Sequence, residues 1–155
     1  PVHVSWLNDP KVVKYSEQRH KIHTLETQHE YLNTVHRNGG LIWLIKIDDG
    51  SGAYQIGTIS AHIDAPNEVA NMGILIGQKF LWGKGYGQEA WEAVMDYLFG
   101  EDWKIRKIEA GCMEMNQGMV KVMERSGMER EARMEKHFIL GNGKVDLLLY
   151  GKFAP

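Results

Sequence analysis

Gly83, Gly85 and Gly87 stand at alternate positions in Trp82-Gly83-Lys84-Gly85-Tyr86-Gly87, just ahead of a stretch with helical spacing. Glycine lets a backbone come close to a ligand, and free N–H groups at a helix start attract an anion. A phosphate-bearing ligand is one reading; a tight strand-to-helix loop is the other. The loop is not a Walker A motif, because Gly85 follows Lys84 where a Ser or Thr is required. Gly85-Tyr86-Gly87-Gln88-Glu89-Ala90 does fit the dinucleotide pattern G-x-G-x-x-A, with Glu109 about 20 residues on as a ribose-binding acid. Residues 78–82 intervene between the preceding strand and this loop, and too little chain follows for a doubly wound sheet. An NAD-type dinucleotide module is therefore the rival reading. His20, His23, His29 and His36 invite a metal, but His29-Glu30-Tyr31-Leu32-Asn33 misses H-E-x-x-H at its fifth position, and no metal is expected. Cys112, the only cysteine, can make no internal disulfide, and its spacing implies no activating histidine.

The elements that must position these groups follow from periodicity. Ser5 to Glu17 reads as a short helical region broken at Asp9-Pro10, and Thr24 as the cap of a helix through Leu25, Tyr31, Leu32 and Val35. Strands are predicted over Leu41 to Asp48, Ala53 to His62 and Glu68 to Ile76, separated by turn-forming residues. The glycine loop then opens a helix with Ala90, Trp91, Val94 and Leu98 on one face, followed by a strand over Ile105 to Cys112. A helix from Asn116 to Ser126 stops at Gly127, and strands over Met128 to Leu140 and Lys144 to Lys152 flank Gly141-Asn142-Gly143. Hairpins on both sides of one βαβ unit predict an α/β fold with a mixed sheet and helices on its faces.

The chain of 155 residues is 43% hydrophobic and 25% charged, without repeats or linkers, and reads as a single domain over 1–155. Lys and Arg total 18 against 20 Asp and Glu, so no basic excess invites nucleic acid. No apolar run approaches the about 20 residues of a membrane span, and Pro1-Val2-His3-Val4 does not open a signal peptide. A cytoplasmic protein, monomeric or homodimeric, is expected.

Residues 41 to 152 resemble the GNAT superfamily of acetyl-CoA-dependent N-acetyltransferases, above all the branch of ribosomal-protein N-terminal acetyltransferases. The resemblance rests on Gly73-Ile74-Leu75-Ile76, on Trp82 to Ala90, and on Asn116 followed by a helix and Ser126-Gly127-Met128. It implies a mostly antiparallel sheet flanked by helices, with a central βαβ unit for coenzyme A, and acetyl-CoA as co-substrate. By the same resemblance, Trp82, Gly83, Lys84, Gly85, Tyr86, Gly87 and Gln88 would hold the pyrophosphate. Ile74, Leu75 and Ile76 would bond the pantetheine and polarise the thioester, and Asn116 would lie beside the arm. Transfer would be direct, without an acyl-enzyme. The family's first strand should precede Trp6, and here it is missing or truncated.

Three departures bear on mechanism. Trp82 stands where the family usually has Gln or Arg, Asn71 where many relatives have a basic Glu, and Met123 where a Tyr often serves as acid. With Asn71 neutral, the base is left open among a water relayed to Glu68, Glu114 or a histidine such as His20, and an amine that arrives unprotonated. A non-catalytic coenzyme A sensor is the alternative if none serves. In the connection that the resemblance implies as the acceptor wall, Tyr15 to Thr24 carries Glu17, Arg19, His20 and His23, which suits a polar acceptor bearing hydroxyls or phosphate. The expected acceptor is a small-molecule amine, an amino sugar and in particular a nucleotide-linked one, rather than a protein N-terminus or a polyamine.

Overall fold

Trp6, more than helical length, holds the first element in place. In the computed structural model, which describes residues 1–155, α1 (Val2–Leu7) has only six residues, and Trp6 is buried over Gly77, where a Cβ would collide with the indole ring. The helix begins before the predicted region and ends short of Asp9-Pro10. Asn8 stops it by turning away: its Nδ2 donates to His23 O at 2.8 Å and its Oδ1 accepts from His23 N at 2.9 Å. That reciprocal pair closes residues 9–22 into a loop. Within it Glu17–His20 forms a 3-10 turn, started by Ser16 Oγ accepting from Gln18 N.

Thr24 and Thr27 exchange backbone-to-hydroxyl bonds at 2.9 and 3.2 Å, a capping box that starts α2 (Leu25–Arg37). The chain then runs antiparallel through β1 (Leu41–Asp48), β2 (Ala53–Asp64) and β3 (Val69–Ile76). After the glycine loop, α3 (Tyr86–Phe99) crosses the sheet to β4 (Lys107–Met113), which lies parallel to β3. The strand starts two residues later than predicted because Ile105 N donates to Leu98 O, at the end of α3. α4 (Gln117–Arg125), β5 (Glu129–Leu140) and β6 (Gly143–Phe153) complete the sheet, in the order β1-β2-β3-β4-β6-β5. Only β3–β4 is parallel, as one βαβ crossover in a mostly antiparallel sheet requires.

The predicted apolar face of α3 is the centre of the core. Trp91, Val94, Met95 and Leu98 pack with Met123 of α4 against Ile59, Ala61, Met72, Ile108 and Ala110 of the sheet. Each such large side chain contributes roughly 1.5–3 kcal/mol by leaving water. Gln88 Nε2 fastens the start of α3 to the end of α4, donating to Ser126 Oγ at 2.8 Å and Val122 O at 3.2 Å. No helix is long and apolar enough to cross a membrane.

One irregularity positions everything that follows. β3 and β4 pair only at Val69–Lys107, Ala70–Ile108 and Asn71–Glu109. Beyond that row β3 stays with β2 as far as Gly57–Ile76, and β4 stays with β6 as far as Met113–Leu147. The sheet opens into two halves. Gly77→Ala should displace Trp6 and cost about 1–3 kcal/mol as an overpacked site, lowering the urea midpoint at constant m. Gly118→Ala, whose Cβ would meet only Asn116 Oδ1 at 3.9 Å, should not destabilise the fold in the same measurement.

Candidate functional site

Where the sheet opens, a cleft of about 280 Å³ lies between Met72, Gly73 and Ile74 on one side and Gly111, Cys112 and Met113 on the other. Asn116 and Met119 at the start of α4 and Phe138 and Leu147 of the β5–β6 hairpin close two walls; Tyr15, Ser16 and Glu17 close another. Asn116 Oδ1 caps α4 by accepting from Met119 N at 3.2 Å, so the cap also fixes this side chain at the cleft.

Strand alternation decides which backbone groups of β3 face the opening. Glu68 O accepts from Arg106 N at 2.8 Å on the β4 side, whereas Gly77 N donates to Ile56 O at 2.9 Å on the β2 side. Even-numbered residues therefore address the open edge, which puts the Ile74 N–H and C=O and the Ile76 N–H there. Leu75, predicted with them, has its carbonyl against Gly57 and its backbone bonds in the β2 ladder, so it offers nothing to a ligand. Ile76 O is already taken: the Trp82 indole N–H donates to it at 2.8 Å. Trp82 thus takes up the last carbonyl of β3.

The start of α3 lies over the same end of β3. A Cβ on Gly87 would sit 3.6 Å from the side chains of both Ile74 and Ile76. Gly83 and Gly85 take φ of 74° and 88°, with open space where a Cβ would be, and Gly85 occupies the N-cap without any side-chain cap. Glu89 N is the first helical N–H with a partner, donating to Gly85 O at 3.0 Å. The N–H groups of Tyr86, Gly87 and Gln88 are left free at the positive end of the helix dipole, an arrangement that holds an anion.

On the far side of Glu17 is a second recess, of about 700 Å³, into which Lys14, Arg19, His20 and Lys21 face. Glu17 stands at the boundary. Arg19 Nη1 donates to its Oε1 at 3.0 Å, and His20 Nε2 lies 3.4 Å from its Oε2. Arg19 is itself anchored, through Nη1 to Ser16 O at 2.8 Å and Nη2 to Ile139 O at 2.7 Å, which ties the turn to the hairpin.

Residues 1–129 match the acetyltransferase (GNAT) domain family. The chain belongs to the GNAT acetyltransferases. Among curated relatives, an uncharacterized protein of Methanocaldococcus jannaschii is 24% identical over 128 residues, which is 82% of this chain and 25% of that protein. YjcK, a probable N-acetyltransferase of Bacillus subtilis, is 42% identical over 55 residues, 36% of this chain and 30% of that protein. The matches thus span less than a third of either relative. The fold agrees with solved acetyltransferases. A spermidine N-acetyltransferase from Vibrio cholerae, in complex with coenzyme A and spermine, superposes with a TM-score of 0.82 at 18% identity, covering 98% of this chain and 88% of that one. RimL, a ribosomal α-N-protein acetyltransferase in complex with coenzyme A, gives 0.80 at 18% identity, covering 99% and 87%. The microcin immunity acetyltransferase MccE, in complex with acetyl-CoA and AMP, gives 0.74 at 19% identity, covering 97% and 84%.

This GNAT-family chain does not gather its sequence-predicted acid–base candidates in the cleft. Asn71 sits in the last paired row, opposite His62 on β2 and Glu109 on β4, one step before the opening. Glu68 is in the turn before β3, with φ of 56°, at the far end of the strand. Glu114 is engaged elsewhere: its Oε1 accepts from Asp146 N at 3.0 Å and its Oε2 from Arg133 Nη2 at 2.6 Å. Met123 is fully buried core. His23, named from the sequence among the acceptor-binding residues, is a buried pin, with Nε2 3.2 Å from Gln18 O and Nδ1 3.2 Å from Gln28 Nε2. Glu17 and Tyr15 do reach the cleft, the second without any signal in the sequence beyond its neighbourhood. The dinucleotide reading is overturned, since the sheet is not doubly wound and Glu109 pairs with Lys107 at 3.3 Å. Burial pushes the Cys112 thiol up to about 11, so at neutral pH it is protonated and a poor nucleophile. Alkylation of Cys112 by iodoacetamide should therefore be roughly a hundredfold slower at pH 8 than for a free cysteine, rising tenfold per pH unit toward 11. Intact-mass kinetics measures it.

Proposed function

We propose that this acetyltransferase moves acetyl from acetyl-CoA directly to the amine of an amino sugar that also carries phosphate, a nucleotide-linked amino sugar being the fullest form. The opening between β3 and β4 carries the reading. It leaves strand backbone groups at Ile74 and Ile76 unpaired beside a cleft, under the start of α3 with its three free N–H groups. A pyrophosphate would sit on the N–H groups of Tyr86, Gly87 and Gln88, with Gly83, Gly85 and Lys84 shaping the approach and Trp82 bounding it. An amide-bearing arm would run along Ile74 and Ile76, beside Asn116. The Ile74 N–H, fixed by the strand, is placed to stabilise the oxyanion that forms at the thioester carbonyl. A protonated Cys112 disfavours an acyl-enzyme.

The acceptor reading rests on charge. Lys14, Arg19 and Lys21 face the recess next to the cleft, which favours an anionic group there and repels a polyamine. MccE, of the same fold, has been seen with AMP, whereas the Vibrio cholerae enzyme has been seen with spermine and RimL acts on protein; the fold admits all three. Residues 1–155 would act as one catalytic unit, in the reducing cytoplasm, as monomer or homodimer and without a metal. The branch of protein N-terminal acetyltransferases is the second reading, supported by the likeness to RimL and to a ribosomal-protein-alanine N-acetyltransferase of Brucella melitensis.

Two measurements test this. Gly85→Val forces a β-branched residue into φ of 88° and should weaken acetyl-CoA binding at least tenfold by calorimetry while the circular dichroism spectrum is retained. Unchanged affinity contradicts the placement. In a mass-spectrometric screen of amino sugars, nucleotide amino sugars, peptides and polyamines, phosphate-bearing sugars should gain the acetyl mass, and Lys21→Ala should raise KM for these but not for unphosphorylated glucosamine. Acetylation of peptides alone contradicts the sugar.

A further inference from the structure

We infer that Glu17 is the group that takes the acceptor's proton, a base supplied by the loop between α1 and α2 and not by the strand position that Asn71 holds. The inference rests on the transfer reaction proposed above. Among the residues that bound the cleft, Glu17 is the only carboxylate and the only charged side chain. Each other acid named from the sequence lies outside the cleft: Glu68 at the far end of β3, Glu114 bonded through both oxygens to Arg133 and Asp146 N.

Glu17 is also held as a base must be. Its two oxygens meet Arg19 Nη1 at 3.0 Å and His20 Nε2 at 3.4 Å from the recess side. Arg19 cannot wander, being bonded to Ser16 O and Ile139 O, and the Asn8–His23 pair closes the base of the loop. The Glu17 side chain is nevertheless 53% exposed, and a carboxylate has about four acceptor positions, so lone pairs remain for a ligand. On the β3 wall of the cleft stands Gly73, where a Cβ would lie 3.3 Å from Ser60 Oγ. The groups that face Glu17 are Arg19 and His20 on its own turn, with Tyr15 of the same loop and Cys112 of β4 also on the cleft.

A primary amine reaches the site mostly as ammonium, which a carboxylate attracts. Glu17 accepts one ammonium proton, and His20 or water carries it to solvent. The freed nitrogen lone pair forms the N–C bond at the thioester carbon, while the carbonyl π pair moves to oxygen beside the Ile74 N–H. Collapse of that oxyanion breaks the C–S bond; the thiolate leaves and takes up the second nitrogen proton through water. The sum is amide, free thiol and one proton released.

The test follows thiol release from acetyl-CoA by wild type and Glu17→Gln with glucosamine 1-phosphate, glucosamine, spermidine and a short peptide. Glu17→Gln should keep acetyl-CoA affinity within about twofold and lower kcat/KM by about 10²-fold or more, the range of general-base losses. The deficit should shrink as pH rises through the amine's own pKa, since a neutral amine needs no base. A loop-shaping residue would show a constant deficit. Glu17→Ala should regain rate with added formate. If Glu17→Gln is as fast as wild type, or its deficit ignores pH and formate does nothing, the inference fails. If spermidine or the peptide is the only acceptor and the variant shows the pH-dependent deficit, the sugar reading fails and Glu17 stands. If wild type releases thiol with no amine, both fail.

Discussion

β3 and β4 hold together through three register pairs and then separate, each following its antiparallel neighbour. Buried backbone groups that lose a partner cost about 1–3 kcal/mol each unless water or another group satisfies them. The opened edge of β3 therefore offers N–H and C=O groups that water or a ligand can satisfy. Within the chain, the Trp82 indole N–H satisfies Ile76 O. What remains, the Ile74 N–H and C=O and the Ile76 N–H, lies along the open edge of β3.

The opening persists because the walls around it are tied to one another over long stretches of sequence. Arg19 reaches Ile139 O, joining the loop before α2 to the hairpin tip. In that hairpin, Met134 pairs with Leu147 and Phe138 with Val145, so residues 135–137 bulge opposite a single residue, Asp146. Lys136 takes φ of 51° there, and its N–H donates to Asp146 Oδ1 at 2.7 Å. That bond, followed by Arg133, holds the Asp146 carboxyl below its ordinary range. Glu114 joins through Arg133 and Asp146 N. The network shapes the bulge that brings Phe138 to the cleft wall. It gives Glu114 a structural use.

Much of this was legible in the residues. The turn formers between Asp48 and Ala53, the periodic Trp91, Val94 and Leu98, and Gly127 after α4 located the elements, because turns and helix ends depend on a few neighbouring residues. The glycine loop marked the start of α3 for the same reason. Less legible were facts set by pairing across the sheet. Whether Leu75 or Ile74 faces the opening depends on the bond from Gly77 N to Ile56 O, and no local pattern encodes that parity. His23 looked reactive by type, but Asn8 and Gln28 bury it. Glu17 and Tyr15 come to the cleft only because the Asn8–His23 pair folds the loop against strands more than 50 residues away in sequence.

Backbone amide resonances on titration with acetyl-CoA test the central claim most directly, because the strand alternates between used and free groups. The account predicts large nitrogen and proton shifts, with slowed hydrogen exchange, at Ile74, Ile76, Tyr86, Gly87 and Gln88, and little change in exchange at Leu75, already in the β2 ladder. Protection that falls on Leu75 and spares Ile74, or that appears along neither strand nor helix start, would contradict it.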